Sequence, residues 1–297
     1  MKKILYLILI SFVVSGCERS DSPKLNYNSI TLENSLLWQI SGNGLKAPSY
    51  LFGTEHLIGA SFLDSLPYVM IRFKQCKAVA GEIRIDSNTR KQNTVTFLKD
   101  DSLSNLFNPH EFKTIDSLLT RYSRLKLTKL NKLTPFIVNY VLMKSIAPHT
   151  ANKTNPSLDE FFQTAARSNN YGIVGLDTKS FDDSLISNIP IDVQKKQLLF
   201  LVNNINYARQ IFTSNFNSYR QQNLNSLEQT ALSVSEIPTE ELGHFVKDRN
   251  DKWLNELPHI MKQQPTFIAV GAAHLLWDCG LINQLRLKGY TVKPVKN

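Results

Sequence analysis

A chain of 297 residues with 42% hydrophobic side chains can bury a substantial core, and its length is within the range of one α/β domain. Its net charge of +9 comes from scattered Lys and Arg, with no basic run alternating with exposed aromatics, which argues against nucleic-acid binding. The three cysteines form no CxxC or Cys/His cluster, which argues against a structural zinc site.

Lys2 and Lys3 precede an apolar run from Ile4 to Val14, which has the length of a signal-peptide core and is too short for a membrane-spanning helix. Val14-Ser15-Gly16-Cys17 then reads as a bacterial lipobox, in which cleavage before Cys17 leaves a diacylglyceryl-cysteine at the new N-terminus. Two or more acyl chains hold a protein on a membrane far better than one. Residues 1–16 are accordingly read as a lipoprotein signal peptide, 17–34 as the lipidated N-terminus and polar tether, and 35–297 as the folded domain. The expected address is the bacterial cell envelope, on its periplasmic or cell-surface side. Glu18 is not the Asp-type retention signal of the inner membrane, which leans towards the outer one. In such a compartment Cys76 and Cys279 either pair as a disulfide or stay two isolated buried thiols.

Leu36 to Ile40 and Tyr50 to Gly53 read as a strand pair. A helix follows from Ser65 with Pro67 in its first turn, and then "AVAGEIRI" (Ala78 to Ile85) as a buried strand. Asp101 to Ser145 is mostly helical. Ser157 opens another helix, with Glu160 completing a capping box, and "YGIVGLD" is a third central strand. One or two long amphipathic helices are expected from Ile191 to about Ser233, and "IPTEEL" opens the next, which carries Leu242, Val246, Arg249, Trp253 and Leu257 on one face. The strand "TFIAVG", a helix from about Asp278 to Lys288 and the strand "YTVKPV" close the chain. Strands separated by helices predict an α/β fold: a central, mostly parallel sheet with a large helical insertion between the third and fourth central strands.

Two stretches end alike. "YLFGTEH" places His56 three residues past Gly53, and "FIAVGAAH" places His274 three past Gly271. In open α/β sheets ligands collect beyond the carboxyl ends of the strands, and glycine there lets the backbone turn or approach closely. Backbone hydrogen bonds would account for both histidines equally well. Glu82, however, lies inside an apolar strand, where a carboxylate without a partner costs several kcal/mol. A salt bridge to Arg84 is one answer. Another is that His56, Glu82 and His274 form three ligands of a catalytic divalent ion with a position left for water. Arg249 either snorkels to the surface or is buried, pairing with Glu82 or stabilising an oxyanion.

Together "LLWQI", "SYLFGTEH", "AVAGEI", "YGIVGLDT", "DRND" and "FIAVGAAHLL" resemble the TraB/GumN family. That family lies within the superfamily of the Tiki Wnt-cleaving proteases and, more remotely, the erythromycin-esterase-like and ChaN-like proteins. The resemblance implies duplicated strand-to-GxxH elements and a site built from both. It carries over Gly53, His56, Gly271 and His274, the strand glutamate Glu82, and the pair Arg249 and Asn250. Tiki-like members are regarded as metal-dependent peptidases, whereas the esterase-like relatives hydrolyse without an established metal. Where the family often has Gly-Leu-Glu before a threonine, this chain has Asp177, one methylene shorter.

The leading expectation is a lipid-anchored hydrolase of peptides or small molecules, with Mn, Co or Zn held by His56, Glu82 and His274 and with Arg249 at the oxyanion. A metal-free variant uses a histidine as general base, with Glu82 orienting it or activating the water. A surface binding protein that captures a peptide or small ligand without turnover is the alternative.

Overall fold

The computed structural model describes residues 28–86, 96–233 and 243–296. The signal peptide, Cys17, most of the tether and the "IPTEEL" helix start therefore lie outside the described residues. In chain order the strands are β1 (Leu37–Ser41), β2 (Ser49–Thr54), β3 (Ala78–Ile83), β4 (Gly172–Asp177), β5 (Thr266–Gly271) and β6 (Thr291–Pro294). They form one sheet in the order β4-β3-β5-β2-β1-β6. The first four of that order run parallel, and β1 pairs antiparallel with both β2 and β6. The mostly parallel α/β sheet expected from the sequence is thus present. β2 and β5 are buried at every position, as central parallel strands covered on both faces should be.

The helices are α1 (Pro67–Phe73), α2 (Leu103–Leu106), α3 (Pro109–Ser123), α4 (Pro135–Ile146), α5 (Leu158–Ser168), α6 (Lys179–Ser187), α7 (Ile191–Asn203), α8 (Ile205–Arg220), α9 (Leu224–Ser233), α10 (Asp248–Gln263) and α11 (Leu281–Leu287). The long helical stretch expected from Ile191 is broken twice, at Asn204 and again where Gln222 takes a left-handed φ of 57°. The last helix starts at Leu281 rather than Asp278, because Trp277 adopts a left-handed φ of 63° and Gly280 is the N-cap. No helix among the described residues is long and apolar enough to cross a membrane.

Two of these helices place the site. α5 starts at Ser157, whose hydroxyl accepts from the Glu160 amide. Its Phe162 packs on Phe267 of β5 with ring centroids 4.7 Å apart and on Phe52 of β2 at 5.4 Å, so its first turn is pinned over the sheet. α10 buries Trp253, Leu254, Leu257 and Met261, which fixes the residues of its own first turn against the sheet ends.

The expected helical insertion is fed by both crossovers, β3 to β4 and β4 to β5. Leu103, Ile115, Leu119, Val138 and Leu142 from the first pack with Leu198, Leu201 and Val202 from the second in a hydrophobic cluster of their own, separate from the core around the sheet.

Candidate functional site

Parallel register brings the informative residues to one edge. Thr54 stands opposite Gly271, Gly81 opposite Ala269, and Ile83 opposite Asp177. The carboxyl ends of β2, β3, β4 and β5 are therefore level, and His56, Glu82, Asp177 and His274 emerge side by side. The GxxH glycines are needed for close approach. A methyl on Gly53 would lie 3.1 Å from the Ala272 Cα, so the two turns would have to move apart by a few tenths of an ångström. A methyl on Gly271 would lie 3.0 Å from Glu82 Oε1 and 3.8 Å from both His56 Nε2 and His274 Cδ2. The two imidazoles from opposite ends of the chain thus meet beside one carboxylate.

An outer layer is partly open to solvent. His56 Nδ1 faces Asp159 Oδ2 at 2.6 Å, with side chains 16% and 15% exposed. Thr54 donates its hydroxyl to the other Asp159 oxygen at 2.7 Å, which orients the carboxylate. Burial works against a charged His56, but Asp159, with Glu82 and Glu55 behind it, outweighs burial and raises the imidazole to about 10. Burial raises the neighbouring Glu55, whose carboxylate accepts from the Leu57 amide. Tyr219 closes this side by donating its hydroxyl to the Gly53 carbonyl at 2.7 Å.

An inner layer lies beneath. Glu82 accepts the Gly271 amide at Oε1 and Arg249 Nη2 at Oε2, both at 2.7 Å. Burial alone would raise Glu82, yet the Arg249 guanidinium above all holds it well below the usual carboxylate range. Arg249 is fully enclosed. Its Nε donates to Asp177 Oδ2 at 2.8 Å, and Lys252 meets the other Asp177 oxygen at 2.8 Å. Asn250 donates its amide to the carbonyls of His274 and Cys279, so its Oδ1 must face His274 Nδ1 at 2.8 Å, and the proton sits on that nitrogen. His274 Nε2 is then a lone pair, directed at Arg249 Nη1 at 3.3 Å. Burial and the guanidinium lower His274 to about 3, against the pull of Glu82.

The residues singled out by sequence, His56, Glu82, Arg249, Asn250, Gly53, Gly271 and His274, are all gathered here. The partner of Glu82 is Arg249, not Arg84, which instead pairs loosely with Asp86. Snorkelling of Arg249 does not occur. With Nε and both terminal nitrogens engaged and no exposure, it is not placed to meet an oxyanion. Cys76 and Cys279 are free and buried. They cannot meet, because Cys76 precedes β3 at its amino end while Cys279 follows β5 at its carboxyl end. Three residues escaped sequence reasoning: Asp159, Thr54 and Tyr219. Asp159 occupies the first turn of α5, where an acidic residue is ordinary for a helix start and carries no distinguishing signal.

The arrangement does not fit a divalent ion shared by His56, Glu82 and His274. His274 spends its lone pair on a guanidinium, and among the described residues no group of three or more His, Cys, Asp or Glu stands ready to hold a metal.

The fold and strand-end constellation define a parallel α/β protein whose two GxxH turns frame a buried Glu–Arg pair. The family model of the TraB/PrgY/gumN family matches residues 36–294, and the chain belongs to that family. No curated protein and no solved structure matches it.

Proposed function

We propose that this chain is a hydrolase of peptide-like or other acyl substrates, with His56 as its electrophilic and proton-donating centre and Glu82 directing the attacking water. One observation carries the reading: His56 is tied through Nδ1 to Asp159, and its Nε2 is turned towards Glu82 and Gly271 at the open edge of the sheet. Held as an imidazolium, it is the cation of the outer layer and stands where negative charge would develop on a carbonyl oxygen. In the proposed step, water oriented by the Glu82 carboxylate attacks the carbonyl and loses its proton to solvent. His56 gives its Nε2 proton to the departing amine or alkoxide, and the ring regains a proton from solvent. No step runs through a metal. The peptide-like class rests on family resemblance. The test is incubation of the purified domain with a mixed peptide library, with and without chelator. Cleavage that survives chelation and disappears in His56→Ala supports the proposal, whereas cleavage abolished by chelation and restored by Mn²⁺, Co²⁺ or Zn²⁺ would sink it.

The same proposal places the domain on the bacterial envelope, held through lipid on Cys17 and the tether 17–34, with the outer membrane favoured. Its support is the Val14-Ser15-Gly16-Cys17 string behind an apolar run. Cys17→Ala should move the protein from the membrane to the soluble fraction, and unchanged fractionation would count against the anchor.

A further inference from the structure

We propose that Arg249 is the resident cation of this site, occupying with its guanidinium the place beside the Glu82 carboxylate and the His274 imidazole that a divalent ion would otherwise take. Glu82 Oε1 and His274 Nε2 are 3.9 Å apart. An ion about 2.0–2.2 Å from each could bridge that gap. His56 Nε2 approaches the same region, since it and Glu82 Oε1 both crowd the position a methyl on Gly271 would take. Glu82 and His274 alone are thus spaced to share an ion, although among the described residues no third His, Cys, Asp or Glu completes a ready set.

What prevents it is the guanidinium. Its Nη2 holds Glu82 at 2.7 Å, its Nη1 faces the only lone pair His274 has to offer, and its Nε is anchored on Asp177. Trp253 covers the planar face, with the guanidinium carbon 4.8 Å from the ring centroid, and the same ring lies 4.3 Å from the His274 ring. Arg249 has no exposure, so it cannot swing into solvent to make room. An arriving divalent ion would have to share a dry cage with a permanent positive charge. A guanidinium does not lose its proton in proteins, so pH offers no release. The fixed cation also accounts for Glu82 staying ionised inside the sheet. This inference concerns ion occupancy and holds whether or not the domain hydrolyses peptides.

The experiment is a Co²⁺ titration of the purified domain, read by visible absorption and by elemental analysis after desalting. Wild-type protein should take up no stoichiometric Co²⁺, and exhaustive chelation should leave its Tm unchanged. Arg249→Met keeps an apolar stem over Trp253 but removes the charge and donors. It should bind Co²⁺ with a visible ligand-field band, which Arg249→Met combined with His274→Ala should lose. Stoichiometric wild-type uptake that disappears in His56→Ala or His274→Ala would overturn the proposal, as would a folded Arg249→Met that binds none. If Arg249→Met fails to fold by circular dichroism, titrations of wild type and Arg249→Lys decide. Refusal of Co²⁺ by both supports a resident cation, and His274-dependent uptake by either overturns it.

Discussion

His56 closes β2 with its ring partly open to solvent and a carboxylate on Nδ1, whereas His274 follows β5 in a sealed pocket with a carboxamide on Nδ1. The backbone device is the same in both places: a buried strand, a glycine permitting close approach, and an imidazole three residues on. The partner differs, and the partner sets the charge. Asp159 raises His56 and keeps it cationic, while burial and Arg249 push His274 down and keep it neutral. A repeated motif therefore fixes where two imidazoles stand, and the surrounding helices decide what each can do. α5 supplies the carboxylate to one, and α10 supplies both the carboxamide and the guanidinium to the other. In the proposed hydrolysis the first ring is the one that transfers a proton. The second is a support that holds the inner ion pair in place.

The largest expected consequence of that division is catalytic. His56→Ala should lower turnover by about 10²–10⁴-fold, the usual worth of a positioned proton-transfer group, and should also lower Tm at neutral pH, because Asp159 loses its cation. If His274→Ala costs the same turnover while leaving stability untouched, the two roles have been assigned the wrong way round.

Arg249→Met should produce the largest loss of stability, about 3–5 kcal/mol in a urea titration, because a mostly buried Glu82 would be left without its cation. A loss below about 1 kcal/mol would mean that solvent at the Glu82 end screens the pair as it does a surface ion pair. Asn250→Ala comes next. It orphans two backbone carbonyls and the His274 Nδ1 proton, so a cost of about 1–3 kcal/mol is expected by the same titration.

The finest test is pH. His56 binds its proton more tightly when folded, so its contribution to stability is whole below its ordinary value of 6.5 and is lost as pH rises towards about 10. His274 has the opposite sign: its contribution is whole above 6.5 and is lost as pH falls towards about 3. Tm followed by calorimetry from acid to alkaline pH should lose its alkaline slope in His56→Asn and its acid slope in His274→Asn. Identical profiles for the two variants would erase the contrast.

Much of this was legible in the residues. The strands announce themselves as short apolar runs, and Glu82 is conspicuous because a carboxylate in such a run demands a partner. The paired GxxH strings locate the site because parallel strands present their carboxyl ends together. Arg249 was visible as a charge on an otherwise apolar helix stripe, although its enclosure was not. Asp159 could not be singled out, since its role depends on α5 being pinned by Phe162 against Phe52 and Phe267, a contact made across the fold. The contact of Arg249 with the His274 lone pair was not legible, because sequence gives ligand types but not the direction in which a ring turns. The break at Asn204 likewise left no mark in the hydrophobic period, which runs on from Leu198 to Phe212, whereas the polar run Arg220 to Asn223 does interrupt it at the second break.

The helical satellite built from α3, α4 and α7 has a buried cluster distinct from the one beneath the sheet. Cooperative units of this kind can open separately from the rest of a domain. Amide exchange should accordingly divide the molecule into a slow sheet layer and a faster satellite. His56, Asp159 and Glu82 stand on the sheet ends and α5, so loss of order in the satellite should leave them in register.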